Sequence, residues 1–156
     1  MMKIIILILL VILLFVPASA IPDAQHTING PVTLNELHQT INNDSILSFE
    51  NNNYTIHESI GILSNNFVID ENLQFESFLI FQEDIAIENT MLTRLGNLNK
   101  YDLYIMSYST SHETEVEYFE IKQTKCENVN IYLESTRGKN NNQFTDTIFN
   151  DSNIIT

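Results

Sequence analysis

The sequence predicts an all-β domain, most readily a short parallel β-helix with a capping helix at its front, and three observations carry that expectation. After residue 44 the apolar pattern takes a period of two, in about ten short runs of four to eight residues rich in Ile, Phe, Tyr and Val. The breaks between the runs are Asn-rich, and no Asn-Gly or Asp-Gly hairpin turn joins one run to the next. The only good helix signal comes first, where a solenoid needs a lid over its open end. A β-sandwich also uses short strands with regular turns and stands as the alternative.

Taken in order, the chain opens on an address. Met1-Met2-Lys3 is a short positive start, Ile4 to Val16 is an unbroken apolar run of thirteen residues, and Ala18-Ser19-Ala20 follows Pro17. Positive start, apolar middle and small-x-small end predict a signal peptide over 1–20. Thirteen apolar residues fall short of the ~20 that a helix needs to cross the hydrocarbon core. Cleavage after Ala20 removes Lys3, so the mature chain is more acidic by one charge than the −13 of the whole.

Residues 21–32, with Pro22, Gly30 and Pro31, read as a loose lead-in. Thr33 then stands three before Glu36, the spacing of a capping box, and Leu34, Leu37 and Ile41 form one stripe, so a helix is expected over 34–41. Asn42-Asn43-Asp44 stops it. The expected strands are 45–49, 54–57, 66–70, 78–81, 85–89, 101–106, 115–121, 128–134, 144–150 and a terminal 153–156. Asn tolerates a left-handed backbone at modest cost, so it can replace the Gly that this chain, with only four, lacks.

Composition removes several functions. Seven Lys+Arg against 20 Asp+Glu cannot supply the phosphate contacts on which nucleic-acid binding depends, so no nucleic-acid partner is expected. A single cysteine, Cys126, forms no internal bridge and is expected to be buried as a small apolar residue. The chain is expected to be one domain over 33–156, secreted or cell-surface, with no membrane span after signal cleavage.

The stretch TLNELHQTINNDSILSFENNNYTIHESIGILSNNFVID, residues 33–70, resembles the opening of right-handed parallel β-helix proteins of the pectate-lyase-like fold. FLIFQEDIAIENTMLT and ENVNIYLES with NNNQFTDTIFNDSNI resemble single coils of the Asn- and Ile-rich adhesin-like surface proteins of methanogenic archaea. The resemblance implies a right-handed coil and an adhesin-like binding or structural module without catalysis. Residues 100–123 depart from the pattern and call for a longer or irregular coil.

Candidate chemistry is sparse. Glu113, Glu115 and Glu117 alternate along an expected strand and project from one face, where three carboxylates could hold Ca2+. A polysaccharide lyase on a β-helix would use such an ion with a basic catalyst, and only Arg94 and Arg137 are available as arginines. The histidines His26, His38, His57 and His112 lack metal-ligand spacing. Ser107 or Ser109 with His112 makes a triad on paper but has no nucleophile-elbow signature.

Tyr101, Tyr104, Tyr108 and Tyr118, with Phe119, crowd the irregular middle, where exposed rings could stack on a cell-surface polysaccharide or a protein. Asn43, Asn53 and Asn150 head Asn-x-Ser/Thr sequons, which are glycan acceptors where the host glycosylates. The apolar finish, Asn153-Ile154-Ile155-Thr156, suggests end-to-end self-association or further coils beyond it. A secreted, adhesin-like binding module is the leading expectation. A polysaccharide-active enzyme on the same scaffold and a β-sandwich interaction domain are its rivals.

Overall fold

The computed structural model describes residues 23–63, 66–82, 84–97, 100–107, 117–135 and 140–156. Their strands wind as a parallel β-helix whose every full rung contributes one strand to each of three sheets. Sheet A runs β1 (His26–Asn29), β4 (Ile60–Leu63), β7 (Leu79–Gln82), β10 (Leu103–Ser107), β13 (Asn130–Ser135) and β16 (Asn153–Ile155). Sheet B stacks β5 (Phe67–Ile69), β8 (Ile85–Glu88), β11 (Glu117–Lys122) and β14 (Asn140–Thr145). Sheet C stacks β2 (Leu47–Glu50), β3 (Asn53–Ile56), β6 (Asn72–Phe75), β9 (Met91–Arg94), β12 (Lys125–Glu127) and β15 (Ile148–Asn150).

All pairings but one among the described strands are parallel, which excludes the sandwich. The exception is the β2–β3 hairpin, turned by Asn51 and Asn52 at φ 51° and 62°. Two successive left-handed residues make the turn that matches strand twist. Asn supplies it here without glycine.

The rung length is set early. Asn53 pairs Asn72, and Leu73 pairs Leu92, the same interval that separates Thr55 from its hydrogen-bond partner Gln74. Inward positions therefore stack as like on like. Ile60 and Ile62 lie over Leu79 and Phe81, then Leu103 and Ile105, then Ile131 and Leu133, all buried in one core. Sheet B contributes Phe67, Ile69, Ile85, Ile87, Phe119 and Ile121. From Leu92 to its partner Cys126 the chain takes a much longer path, and the register still closes. This is the longer coil expected of the middle.

Corners fall at fixed places. Asn89, Gln123 and Asp146 each follow a sheet B strand with positive φ, and Asn128 and Asp151 do so after sheet C strands. Corners are held by the neighbouring rung: the N–H of Asn89 donates to Lys122 O at 3.0 Å and that of Gln123 to Thr145 O at 2.9 Å. Thr124 and Thr147, next in line, return a hydroxyl to the carbonyl two residues back. One amide ladder forms directly, with Asn153 Nδ2 donating to Asn130 Oδ1 at 2.9 Å.

The front is closed by chain that belongs to no full rung. β1 lies on β4, the N–H of Val68 donates to Val32 O at 2.7 Å to bring 32–33 onto sheet B, and β2 covers sheet C. Helix α1 (Leu34–Ile41) buries Leu34 and Leu37 in the core. Thr33 caps it by accepting from the N–H of Glu36 at 3.2 Å, while the Glu36 carboxylate reaches back to Thr33 Oγ1 and to the N–H of Val32. Asn42 ends it in the left-handed region. Residues 26–29, read from sequence as loose, are a strand, because Gly30 and Pro31 break only the chain that follows.

Between β9 and β10 the scaffold holds a buried ion pair. Arg94 Nη1 lies 2.9 Å from Asp102 Oδ1, with side chains 5% and 0% exposed. The guanidinium also donates to Ser77 O and Asn97 O, and Asp102 Oδ2 accepts from the N–H of Asn130 at 2.8 Å. Burial pulls the Asp102 carboxyl up, opposed by that N–H and by Arg94. Arg94 thus ties neighbouring rungs together and is not free to act as a base.

Two outcomes follow for urea unfolding. Asn52→Ala should lose about 1 kcal/mol, because a non-Gly residue without a polar side chain disfavours the left-handed region, whereas Asn52→Gly should be at least as stable as the parent. Arg94→Ala, which strands the Asp102 charge, should lose roughly 3–5 kcal/mol, with the Arg94→Met, Asp102→Leu double variant recovering most of it.

Candidate binding face on sheet A

Sheet A differs from the others in burying residues on both faces. Along β4, β7 and β10 nearly every position is buried, so the strands read as continuous apolar runs and not as alternation. The inner set belongs to the main core. The outer set forms a second cluster of Ile80, Tyr104 and Met106, packed against Ala24, Phe78, Tyr101 and Tyr132.

Register places its members in one column. Gly61, Ile80, Tyr104, Tyr132 and Ile155 succeed one another from β4 to β16. Gly61 has no side chain because Ala24 lies over it: a Cβ there would meet the Ala24 Cβ at 3.3 Å. Tyr104 and Tyr132 are stacked at 4.8 Å and 17°, and Tyr101 meets both edge-on at 5.5 and 5.7 Å. Lys100 Nζ sits 5.1 Å from the centre of the Tyr101 ring, within reach of a cation–π attraction. The Tyr104 hydroxyl donates to the carboxylate of Glu134, two positions along from Tyr132.

Of the expected tyrosines, Tyr101 and Tyr104 are therefore brought together. Tyr104 is only 3% exposed and serves as the floor, so the rings offered to solvent are those of Tyr101 and Tyr132. Tyr132, Glu134 and Lys100 carry no signal of their own in the sequence. Tyr132 stands a full rung after Tyr104, a separation that means nothing until the strands are paired. Such a face suits a flat ligand with hydroxyls at its edge: rings to stack on, a carboxylate to accept, a cation beside it.

The remaining expectations fall elsewhere. Tyr108, Glu113, Glu115, Ser109, His112 and Arg137 lie outside the described residues, and for Ser107, Glu117 and Tyr118 only the backbone is described, in β10 and β11. Among the described residues no group of three or more His, Cys, Asp or Glu could hold a metal, and no helix is long and apolar enough to cross a membrane. Asn43 and Asn150 are exposed, and Asn53 is half-buried at the start of β3. Three histidines each face a carboxylate: His26 with Glu58 at 2.7 Å, His38 with Asp44 at 3.4 Å and His57 with Glu76 at 2.6 Å.

Cys126 is buried in sheet C between Leu92 and Phe149, and burial pushes its thiol up to about 12. The folded chain should resist a thiol-directed disulfide reagent at pH 8 and react stoichiometrically in denaturant. Since an unfolded thiol ionises near ~8.5 and this one only near 12, the unfolded state sheds its proton first. Stability should then fall between those values by about 1.4 kcal/mol per pH unit from this group. Comparison with Cys126→Ala in alkaline urea titrations isolates that loss.

Compared with protein-family models, with curated proteins and with solved structures, the chain matches none, so the parallel β-helix is read from its own strand pairing.

Proposed function

We propose that the protein is an exported, surface-displayed binding module of adhesin-like character, and that the outer face of sheet A recognises a cell-surface polysaccharide. The observation that carries this reading is the aromatic cluster around Tyr101, Tyr104 and Tyr132, which lies outside the coil interior with two rings half-exposed. A β-helix needs its inner ladders to fold. It has no comparable need for a second aromatic column facing outward.

The chemistry of the face supports sugars over other partners. Sugar rings present C–H faces that pack on aromatic rings and hydroxyls that bond to carboxylates, and here the Glu134 carboxylate sits beside the stacked rings. A net charge of −13 disfavours anionic ligands and makes a neutral or cationic glycan the better fit. Export rests on the leader-like residues 1–20. The repetitive scaffold suits display, since loops and outer faces vary while the inner ladder holds.

A panel of soluble cell-wall polysaccharides, titrated calorimetrically against the chain without residues 1–20, tests the reading. One or more neutral or amino-sugar polymers should bind. Tyr132→Ala should weaken that binding about tenfold, or ~1.4 kcal/mol, and Tyr101→Ala by a similar step. Absence of binding across the panel, or binding indifferent to both substitutions, overturns it.

A further inference from the structure

On the outer side of sheet C, remote in register from the tyrosine column, three side chains are joined in a line. Ser48 Oγ lies 2.7 Å from His57 Nε2, and His57 Nδ1 lies 2.6 Å from Glu76 Oε2. Pairing brings them there. Ser48 faces Thr55 across the β2–β3 hairpin, His57 is two residues beyond Thr55 on the same side, and Glu76 stands one rung after His57.

The backbone fixes two of the three. His57 N–H donates to Ile46 O at 2.9 Å and Glu76 N–H to Ile56 O at 2.9 Å. The imidazole is 29% exposed and the Glu76 carboxylate 49%, so the line is open to solvent.

The order of partners decides what the line can do. A carboxylate that accepts at Nδ1 places the proton of a neutral imidazole there, which leaves the Nε2 lone pair to accept from the Ser48 hydroxyl. The serine is thereby aligned to surrender its proton to a base that a carboxylate orients, which is the arrangement of an activated nucleophile. Two other histidine–carboxylate pairs are a control within the same molecule: in His26–Glu58 and His38–Asp44 the carboxylate takes Nε2.

The hairpin register also sets a backbone donor next to the serine on the outer edge. Among the described strands β2 is the last of sheet C and pairs with β3 alone. Across a two-residue turn the pair Glu50–Asn53 exchanges hydrogen bonds, and so does Ser48–Thr55, which turns the N–H groups of Leu47 and Phe49 to the free edge. That of Leu47 is taken by Asn43 O at 3.2 Å. That of Phe49, the residue after the serine, points off the edge.

We propose that Ser48 and His57, with Glu76 as positioning residue, form a hydrolytic site for carboxylic esters of small acyl groups. In the first step Ser48 Oγ bonds to the ester carbonyl carbon as His57 Nε2 takes the hydroxyl proton. Collapse breaks the carbon–oxygen bond to the alcohol, which leaves with that proton, and the acyl group remains on Ser48. Water then adds by the same route, His57 returns the proton to Ser48 and the free acid departs. Neither redox partner nor cofactor enters. A sheet-edge position with the imidazole and carboxylate open to solvent suits esters with good leaving groups and not amides. This site is independent of the sugar-binding face.

The test uses the folded chain without residues 1–20 and two probes, a fluorophosphonate and p-nitrophenyl acetate. Mass spectrometry should find one phosphonylated residue, Ser48, and none in chain denatured before exposure. Ester hydrolysis should fall roughly a hundredfold in Ser48→Ala and in His57→Asn. Glu76→Gln should slow it, and Glu76→Asp should restore part of the rate, because a carboxylate there can still orient the ring; Glu58, the next acid along, is engaged by His26. A variant that lost its fold would show it by circular dichroism, and labelling of the parent chain would then decide alone. No adduct at Ser48, or hydrolysis unchanged in folded Ser48→Ala, overturns the proposal.

Discussion

A chain that pairs with itself in parallel must return to the start of each strand by turning corners, and each corner must bend the backbone without surrendering the hydrogen bonds to the neighbouring rung. The left-handed residues meet both demands. Asn89, Gln123 and Asp146 occupy one corner and Asn128 and Asp151 another, each reversing the twist for a single residue. The ladders of Ile, Leu and Phe follow from that spacing, because matched rungs bring inward positions over one another. Hydrophobic burial supplies the driving force, while corner geometry decides which residues receive it.

Sheet A shows what such regularity allows. Once inner positions are fixed, the outer positions of consecutive rungs also stand in columns, and any residue type repeated at the rung interval becomes a surface. Tyr104 and Tyr132 stack because Leu103 pairs Ile131 in the core behind them. The same logic sets His57 beside Glu76 on sheet C. Both arrangements are by-products of core register, held rigid without further cost in chain entropy.

Much of this was legible before folding, and what was not had one main cause. The helix over 34–41 agrees with its capping box and stripe, and the alternating runs at 54–57, 66–70, 78–81 and 85–89 overlap strands observed. Strands β6, β9 and β12 escaped because NLQF, MLTR and KCE carry few β-branched residues, and their inward positions are marked chiefly by Leu73, Leu92 and Cys126. Strand β4 escaped too, since IGIL is buried on both faces and shows no alternation. The outward tyrosine cluster was half visible, through Tyr101 and Tyr104. The line of Ser48, His57 and Glu76 was invisible for a different reason: its members' separations acquire meaning only once the hairpin and the rung length are known.

The span between matched positions in successive rungs is not constant. Sheet C steps from Leu73 to Leu92, then to Cys126, then to Phe149, and the middle step is the longest of the three. Pairing resumes in phase across that long step, so length and alignment are uncoupled. A foreign peptide grafted into the connection between β10 and β11 would therefore leave the storeys above and below undisturbed. The architecture lends itself to carrying interchangeable cargo on a fixed spindle.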